Sequence, residues 1–289
     1  MKSKRIQNIR KEETIYTYKS YLGTIILIIL SIIFLMPILI VFMNSFKSKL
    51  YISNSPFEFP YKESFVYLNN YVDGMVKTGF LQAFGWTLFI TVSSVSVLIL
   101  FTSMTAWYIV RVKNKFTKFL YYMFVFSMVV PFQMVMFTLT KIANVLYLDN
   151  PVGIVLIYLG FGAGLSVFMF CGFIKSIPFV LEEAAMIDGS SPIATFFLIV
   201  LPILKPTAIT VAILNAMWIW NDYLLPYLII GTEYKTISVA IQYLRGGYGS
   251  IDMGAMMSML VLAITPIIVF YLVCQKYIIR GVTAGAVKG

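Results

Sequence analysis

Long apolar runs separated by short polar segments are the dominant pattern along this chain of 289 residues. Six of these runs have the length of about 20 residues that a helix needs to cross a bilayer. Their predicted bounds are 21–43, 85–110, 119–139, 152–174, 207–230 and 256–273. The apolar residues follow one another without the in-out alternation of a barrel strand. The pattern therefore predicts an all-α integral membrane protein with six transmembrane helices.

The amino-acid composition supports this prediction and excludes several classes of function. Hydrophobic residues make up 60% of the chain, which is more apolar surface than a water-soluble domain of this size could bury. The chain has no histidine, so imidazole catalysis and histidine metal ligation are excluded. Its two cysteines, Cys171 and Cys274, fall inside apolar runs and are expected to pack there. The sequence thus predicts neither an enzyme nor a metal site.

The distribution of charge predicts the topology. The net charge is +10, but Lys and Arg lie in short loops, so membrane orientation explains them better than nucleic-acid binding. With the N-terminus inside, the inner loops carry about twice as many Lys and Arg as the outer ones. The positive-inside rule then predicts both termini in the cytoplasm and the protein in the cell membrane. The basic residues of 2–11 are also expected to contact anionic lipid.

The same pattern divides the chain into segments. The first apolar run lacks a small-residue cleavage site, so it is predicted to be retained as a span. The outer loop after it contains prolines and several aromatic residues and is expected to form a small external cap. The predicted segments are a basic cytoplasmic tail (1–20), a first transmembrane helix (21–43), an extracytoplasmic loop (44–82), a core of five helices (83–279) and a cytoplasmic C-terminal tail (280–289).

A polar interruption within the core, at 176–205, carries the signals of an ordered structure. Glu182 and Glu183 suit the first turns of a helix, where negative charge is favoured by the helix dipole. Gly189 suits a left-handed stop of that helix. Ser191-Pro192 then suits the N-cap and first position of another helix. The segment is therefore predicted to be a helix, a glycine turn and a second helix.

Two interpretations of this segment remain open from the residues alone. Ala184 and Ala185 have little bulk, so another surface could approach the backbone closely, and Glu183 could pair with a cation on it. The segment would then be a docking site that points into the cytoplasm. Alternatively, it is a re-entrant or surface-lying segment that packs against its own helix bundle.

The spacing of these residues resembles a known motif. Glu183-Ala184-Ala185, then Gly189, then Ile199-x-Leu201-Pro202 is similar to the EAA loop of ABC importer permeases. The stretch 220–226 and the chain end 280–289 are similar to those of the MalG-like permeases, the carbohydrate-uptake branch. The chain is therefore identified as resembling a MalG-like permease subunit, and the resemblance covers nearly its whole length.

The resemblance implies a type I ABC importer permease fold, with a coupling helix that docks on an ATP-hydrolysing subunit. The residues it implies for docking are Glu182, Glu183, Ala184, Ala185, Met186, Asp188, Gly189, Leu201 and Pro202. The implied partners are a second homologous permease subunit, two ABC ATPase subunits, an extracytoplasmic solute-binding protein, a carbohydrate substrate and membrane lipid, with no nucleic acid. The chain itself would bind no cofactor, because ATP and Mg²⁺ would be bound by the ATPase subunits.

A glycine-rich stretch, Gly160 to Gly164, has the composition of a phosphate-binding loop. No Gly-Lys-Ser/Thr follows it, and it lies inside the fourth apolar run. Close packing of helices is therefore the predicted role of these small residues.

Polar residues in the fifth apolar run are candidates for a translocation path, because polar groups inside spans are functional by default. Asn221 and Asp222 fall in the outer half of the bilayer, among aromatic residues on which a sugar ring could stack. The alternative is a helix break at Pro226 whose free backbone groups Asn221 and Asp222 satisfy. The candidate path residues are Asn215, Trp218, Trp220, Asn221, Asp222 and Tyr223.

Two other functions remain as alternatives. An ABC importer permease for a polyol or a glycerol phosphate would carry the same motifs. A self-sufficient secondary transporter belongs to a different class, and it is disfavoured because the sequence has no midplane charge and no clear repeat.

Overall fold

A computed structural model describes the backbone of residues 2–244 and 251–286 and the side chains of residues 21–244 and 251–275. The side chains of the basic tail predicted at 1–20 lie outside the described residues. The side chains of the tail predicted at 280–289 and the backbone of its last three residues also lie outside them.

The described chain is helical, and its one β contact is an isolated bridge between Lys47 and Phe65. A short π-helical segment, Phe196–Val200, separates α9 from α10. The helices are α1 Lys2–Asn44, α2 Lys49–Asn54, α3 Asn69–Thr78, α4 Phe80–Arg111, α5 Lys115–Ser127, α6 Phe132–Val145, α7 Pro151–Ile174, α8 Val180–Ile187, α9 Pro192–Thr195, α10 Leu201–Ile203, α11 Lys205–Asn221, α12 Leu224–Ile229, α13 Ile237–Gln242 and α14 Met253–Ala286.

The chain forms two compact units, and the first comprises residues 1–74 and 251–261. Its α1 is one continuous helix through the predicted basic tail and first span. The membrane-length stretch Tyr21–Asn44 is exposed over most of its length. Because these side chains are apolar, their surroundings are lipid or another protein chain rather than water.

The loop that follows α1 in this first unit is folded. The Asn70 amide group donates to the backbone oxygens of Ser45 and Lys47, both at 2.8 Å, and the Ser258 hydroxyl donates to the Asn70 oxygen at 2.7 Å. Lys47 is buried, and its ammonium group donates to the Ser55 oxygen at 2.9 Å. Burial lowers the pKa of Lys47, although a nearby glutamate opposes the shift.

The second unit comprises residues 75–250 and 262–289, and α7 is its most buried helix. A methyl group added at Gly164 would lie 2.7 Å from the Phe124 oxygen on α5, and one at Gly162 would lie 2.8 Å from Leu98 on α4. The prediction that these glycines serve close helix packing is therefore confirmed. Gly160 differs, since a methyl group there would meet nothing within 4 Å. Cys171 is buried in the same core, as expected.

The predicted third span, 119–139, is not one helix. The structure has two helices there, α5 and α6, that meet at an angle of 106°. Pro131 precedes α6 and has no N–H to donate to the last turn of α5, and the residue before a proline disfavours helical angles. Each helix is about 20 Å long, which is too short to cross the bilayer alone. The apolar run predicted at 119–139 is therefore a bent pair of helices and not one continuous helix.

The predicted fifth span, 207–230, is also interrupted. The helical segment Pro192–Ile203 meets α11 at 75°, and α11 runs only from Lys205 to Asn221. Asp222 then adopts an extended conformation before α12. Among the described residues, four continuous helices are therefore long and apolar enough to span a membrane, or up to six if each bent pair is one span.

Candidate functional site

The polar loop between α7 and α11 forms the predicted helix, turn and second helix. Gly189 ends α8 with φ +88°, and the Ser190 N–H donates back to the Ala185 oxygen at 2.9 Å. These are features of a left-handed helix stop that satisfies the free carbonyls of the last turn. Ser191 then caps α9, because its hydroxyl oxygen accepts from the Ala194 N–H at 3.2 Å. The predicted glycine stop and serine N-cap are both confirmed.

One face of α8 is exposed along its whole length. Val180, Glu183, Ala184 and Ile187 have the i, i+3, i+4, i+7 spacing of a single helix face, and all four are exposed. We call these four residues the docking surface. Ile187 is 85% exposed, although it lies outside any span that could cover it with lipid. Exposed apolar groups rimmed by polar ones are typical of a protein-binding surface.

The other residues predicted for docking surround this face. Met186, Asp188, Gly189 and Pro202 are exposed, whereas Ala185 and Leu201 are half-buried. Val180 and Ile187 were not predicted, and the signal that could have found them is their helical spacing from Glu183.

Glu182 departs from the predicted arrangement, because it faces the interior and is only 1% exposed. Its carboxylate accepts from Arg111 Nη2 at 2.7 Å, Arg111 Nε at 3.0 Å and Trp107 Nε1 at 2.9 Å. Arg111 Nη2 also donates to the Ile177 oxygen at 3.1 Å. The guanidinium and the indole both come from the last turns of α4. A side chain so covered offers almost no surface to a partner, so we leave Glu182 out of the docking surface.

These contacts give Glu182 a different role, which is to hold α8 against the end of α4. Both guanidinium bonds end on Glu182 Oε1 and the indole bond on Oε2, so charge-assisted hydrogen bonds hold both carboxylate oxygens in place. Arg111, one of the Lys and Arg residues counted for the topology, was not linked to Glu182 by any pattern in the sequence. Adjacent residues of a helix point about 100° apart, so Glu182 and Glu183 could not both have faced the same partner.

Asn215, the first of the candidate path residues, is buried between α11 and α7. Its amide group donates to the Ser166 hydroxyl at 3.2 Å and to the Val211 oxygen at 2.9 Å. A methyl group added at Gly162 would also lie 2.9 Å from the Asn215 oxygen. In this structure Asn215 joins two helices and lines no open surface.

Asp222 satisfies the helix break, as the alternative interpretation predicted. One carboxylate oxygen accepts from the N–H groups of Leu224 at 3.0 Å and Leu225 at 3.4 Å. The other accepts from the Tyr158 hydroxyl at 3.0 Å. The break lies at Asp222 itself and not at Pro226, which is inside α12, because the carboxylate competes with the helix for these backbone donors.

The aromatic candidates do not converge on one cavity. Trp218 is exposed and packs edge-on against Tyr158 with ring centroids 5.4 Å apart, and Tyr223 stacks on Tyr227 at 5.3 Å. Trp220 instead donates to the Ala263 oxygen at 3.2 Å. Asn221 is exposed at the end of α11.

Of the six candidates, only Trp220 lines the cavity of about 350 Å³ between α4, α11 and α14. Apolar side chains form nearly all of its wall. A sugar needs several hydrogen-bonding partners, so this cavity does not suit one. Of the other candidates, Trp218 and Asn221 are exposed and Tyr223 is half-buried. The Asn221 amide group donates to the Met217 oxygen at 2.7 Å.

Comparison with known proteins identifies related chains. A family model described as "Binding-protein-dependent transport system inner membrane component" matches residues 98–284. The probable starch degradation products transport system permease protein AmyC of Thermoanaerobacterium thermosulfurigenes is 39% identical over 93% of this chain and 97% of its own. The multiple sugar-binding transport system permease protein MsmG of Streptococcus mutans is 34% identical over 97% of this chain and 100% of its own.

A solved structure has a similar fold. It is the crystal structure of a bacterial ABC transporter involved in the import of the acidic polysaccharide alginate. The matched chain superposes with a TM-score of 0.72 and covers 89% of this chain and 95% of its own, at 21% sequence identity. The chain therefore shares its fold with a chain of that transporter.

Proposed function

We propose that this chain, which belongs to the family of binding-protein-dependent transport system inner membrane components, translocates a carbohydrate. It is a multi-pass cell-membrane permease subunit of an ATP-driven importer and is not itself an enzyme. The observation that carries the proposal is the near full-length similarity to two permeases named for starch degradation products and for multiple sugars. Membership of this family also argues against the alternative of a self-sufficient secondary transporter.

A permease of this family works with a binding protein, an ATPase and a further permease subunit. We expect one homologous permease subunit and two ATPase subunits in each assembly, with the binding protein on the extracytoplasmic side. ATP and Mg²⁺ would bind to the ATPase subunits. Both termini and the docking surface would lie in the cytoplasm, in keeping with the excess of Lys and Arg in the inner loops.

The docking surface would transmit the ATPase cycle to the spans. Val180 and Ile187 would enter an apolar cleft of the ATPase, Glu183 would pair with a cation at its rim, and Ala184 would allow close approach. Because Glu182 is bonded to Arg111, a displacement of α8 would pull on the end of α4.

Transport would follow alternating access. ATP would favour the closed ATPase dimer and so the outward-facing spans, and hydrolysis would return them to the inward-facing state, because ligands shift the balance of two states only by binding them unequally. The sugar would pass along Trp218 and Asn221, which are exposed, and Tyr223, which is half-buried.

Replacing Ile187 with aspartate tests the docking surface. The charge would have to be buried in the ATPase cleft, so we expect the ATPase to be lost when the solubilised transporter is purified through a tag on this chain. The second permease subunit should remain. Val76→Asp is the matched control, because Val76 is 78% exposed but lies on α3, away from the loop. Retention of the ATPase by Ile187→Asp, or its equal loss from both variants, would contradict the proposed surface.

A further inference from the structure

A basic cavity at the membrane boundary, separate from the docking surface, has no role in the function proposed above. Its volume is about 770 Å³. It opens where α4 ends, α5 begins and α7 ends. These are the ends of three membrane helices, so the cavity lies at the level of the lipid headgroups.

Cations from two separate loops converge on this cavity. Lys113, Lys115 and Lys118 come from the turn between α4 and α5 and from the start of α5, and Lys175 comes from the end of α7. All four lysines are exposed, and none pairs with a carboxylate among the side chains that the structure describes. Arg111 also lines the cavity, but its charge is balanced by Glu182. Because no carboxylate lines the cavity, its electrostatic potential is positive and favours an anion.

The floor of the cavity is apolar. Half-buried Ile109, Val110 and Tyr121 form it, together with buried Cys171. The Lys175 ammonium group lies 5.4 Å from the centre of the Tyr121 ring, which holds the charge above this floor. A cationic rim over an apolar floor matches a ligand with a charged head and an apolar body.

The start of α5 supplies cations, but its backbone donors are occupied. Asn114 caps the helix, with its side-chain oxygen accepting from the Thr117 N–H at 2.8 Å. An anion would therefore bind to the ammonium groups. Exposed Phe116 and Phe119 alternate with these lysines along the helix, a pattern typical of a segment lying in the membrane interface.

We propose that this cavity binds an anionic phospholipid, with its phosphate among Lys113, Lys115, Lys118 and Lys175 and its glycerol and upper acyl chains on the apolar floor. Basic pockets between transmembrane helices on the cytoplasmic side suit such headgroups. A free phosphate would use the lysines equally well but would leave the floor uncovered. The lipid satisfies both parts of the site.

Native mass spectrometry of the whole transporter, purified through this chain, tests the proposal. The complex is titrated in detergent with phosphatidylglycerol and, separately, with neutral phosphatidylcholine. We expect the parent to bind phosphatidylglycerol preferentially and Lys118→Gln/Lys175→Gln to bind it about 30-fold more weakly. The variant Lys118→Arg/Lys175→Arg should keep the affinity, which shows that the loss is one of charge and not of folding.

The double variant Lys141→Gln/Lys205→Gln is the matched control, because it removes the same charge from exposed lysines that do not line the cavity. An equal loss in this control, or no loss in Lys118→Gln/Lys175→Gln, would overturn the proposal. Glycerol phosphate distinguishes the source of the phosphate. If this soluble compound displaces phosphatidylglycerol at equal concentration, the site takes a free phosphate and the lipid assignment fails.

Discussion

At the scale of single residues, two adjacent glutamates of α8 have opposite surroundings. Glu183 is exposed on the docking surface, while Glu182 is bonded to Arg111 and Trp107. One orients the helix and the other is free to meet a partner. Docking was predicted for both residues, although the motif itself contains only Glu183. The structure therefore separates a contact within the chain from a contact proposed with another.

Removing the Glu182 carboxylate should destabilise the protein. Glu182→Ala leaves the Arg111 guanidinium, which is 16% exposed, without its partner. Breaking a buried ion pair costs about 3 kcal/mol or more, and we expect the lower end of that range because Arg111 reaches some solvent. The free energy of unfolding in mixed micelles measures this loss.

Two further variants are controls for the Glu182 result. Glu183→Ala removes an exposed charge and should change the free energy of unfolding by less than about 0.5 kcal/mol. The double variant Arg111→Met/Glu182→Met replaces the pair by apolar groups and should recover most of the loss. The single variants Arg111→Met and Glu182→Met are measured alongside it. If the double variant loses as much free energy of unfolding as the two single variants lose together, the ion pair does not hold α8 in place.

At the scale of helices, local signals in the sequence were reliable and long-range ones were absent. Gly189 and the Ser191-Pro192 pair determine their own turn and cap, so the two helices of the loop could be predicted from them. The bond between Arg111 and Glu182 joins residues 71 positions apart, and no local pattern encodes it. The breaks at Pro131 and Asp222 lie within continuous apolar runs, so hydropathy averaged over a window of membrane length does not reveal them.

The close packing of α7 on α5 depends on the absence of a side chain at Gly164. Gly164→Ala would put a methyl group 2.6 Å from the Ser127 hydroxyl and 2.7 Å from the Phe124 carbonyl. A backbone oxygen in a packed helix cannot move aside cheaply, so we expect a loss of about 1–3 kcal/mol in the free energy of unfolding.

Gly160→Ala is the control for this packing prediction, since it changes the same helix but meets nothing within 4 Å. It should be neutral or more stable by about 0.5–1 kcal/mol, because alanine favours a helix over glycine. Both variants are measured by the same unfolding titration. Equal stability of the two would mean that α5 does not approach α7 as closely as the structure indicates.

At the scale of the whole molecule, the ion pair between Arg111 and Glu182 indicates whether the bent pair α5–α6 crosses the membrane. Arg111 ends α4, and Glu182 follows the end of α7, so the ends of these two helices lie on one side of the membrane. The chain must cross twice between them, and α7 accounts for one crossing. The pair α5–α6 must therefore provide the other, despite its bend of 106°. The bent pair is thus one broken span and not a re-entrant loop.

Single cysteines at exposed positions test this topology. Val76 precedes α4, Tyr147 lies between α6 and α7, and Lys205 follows α7. Each is exposed, and each is replaced by cysteine in a chain with Cys171 and Cys274 changed to alanine. Intact cells are treated with a membrane-impermeant maleimide. With six spans and the positive-inside orientation, Val76→Cys and Tyr147→Cys should react, and Lys205→Cys should react only after permeabilisation.

Each alternative topology gives a different labelling pattern. If α5–α6 returns to the side from which it entered, Tyr147→Cys is protected and Lys205→Cys reacts in intact cells, so the bent pair is not a span. If only the orientation is reversed, all three positions exchange their behaviour, and the docking surface would then lie outside the cell, beyond the reach of an ATPase. The predicted pattern alone is consistent with both a span that breaks at Pro131 and a docking surface in the cytoplasm.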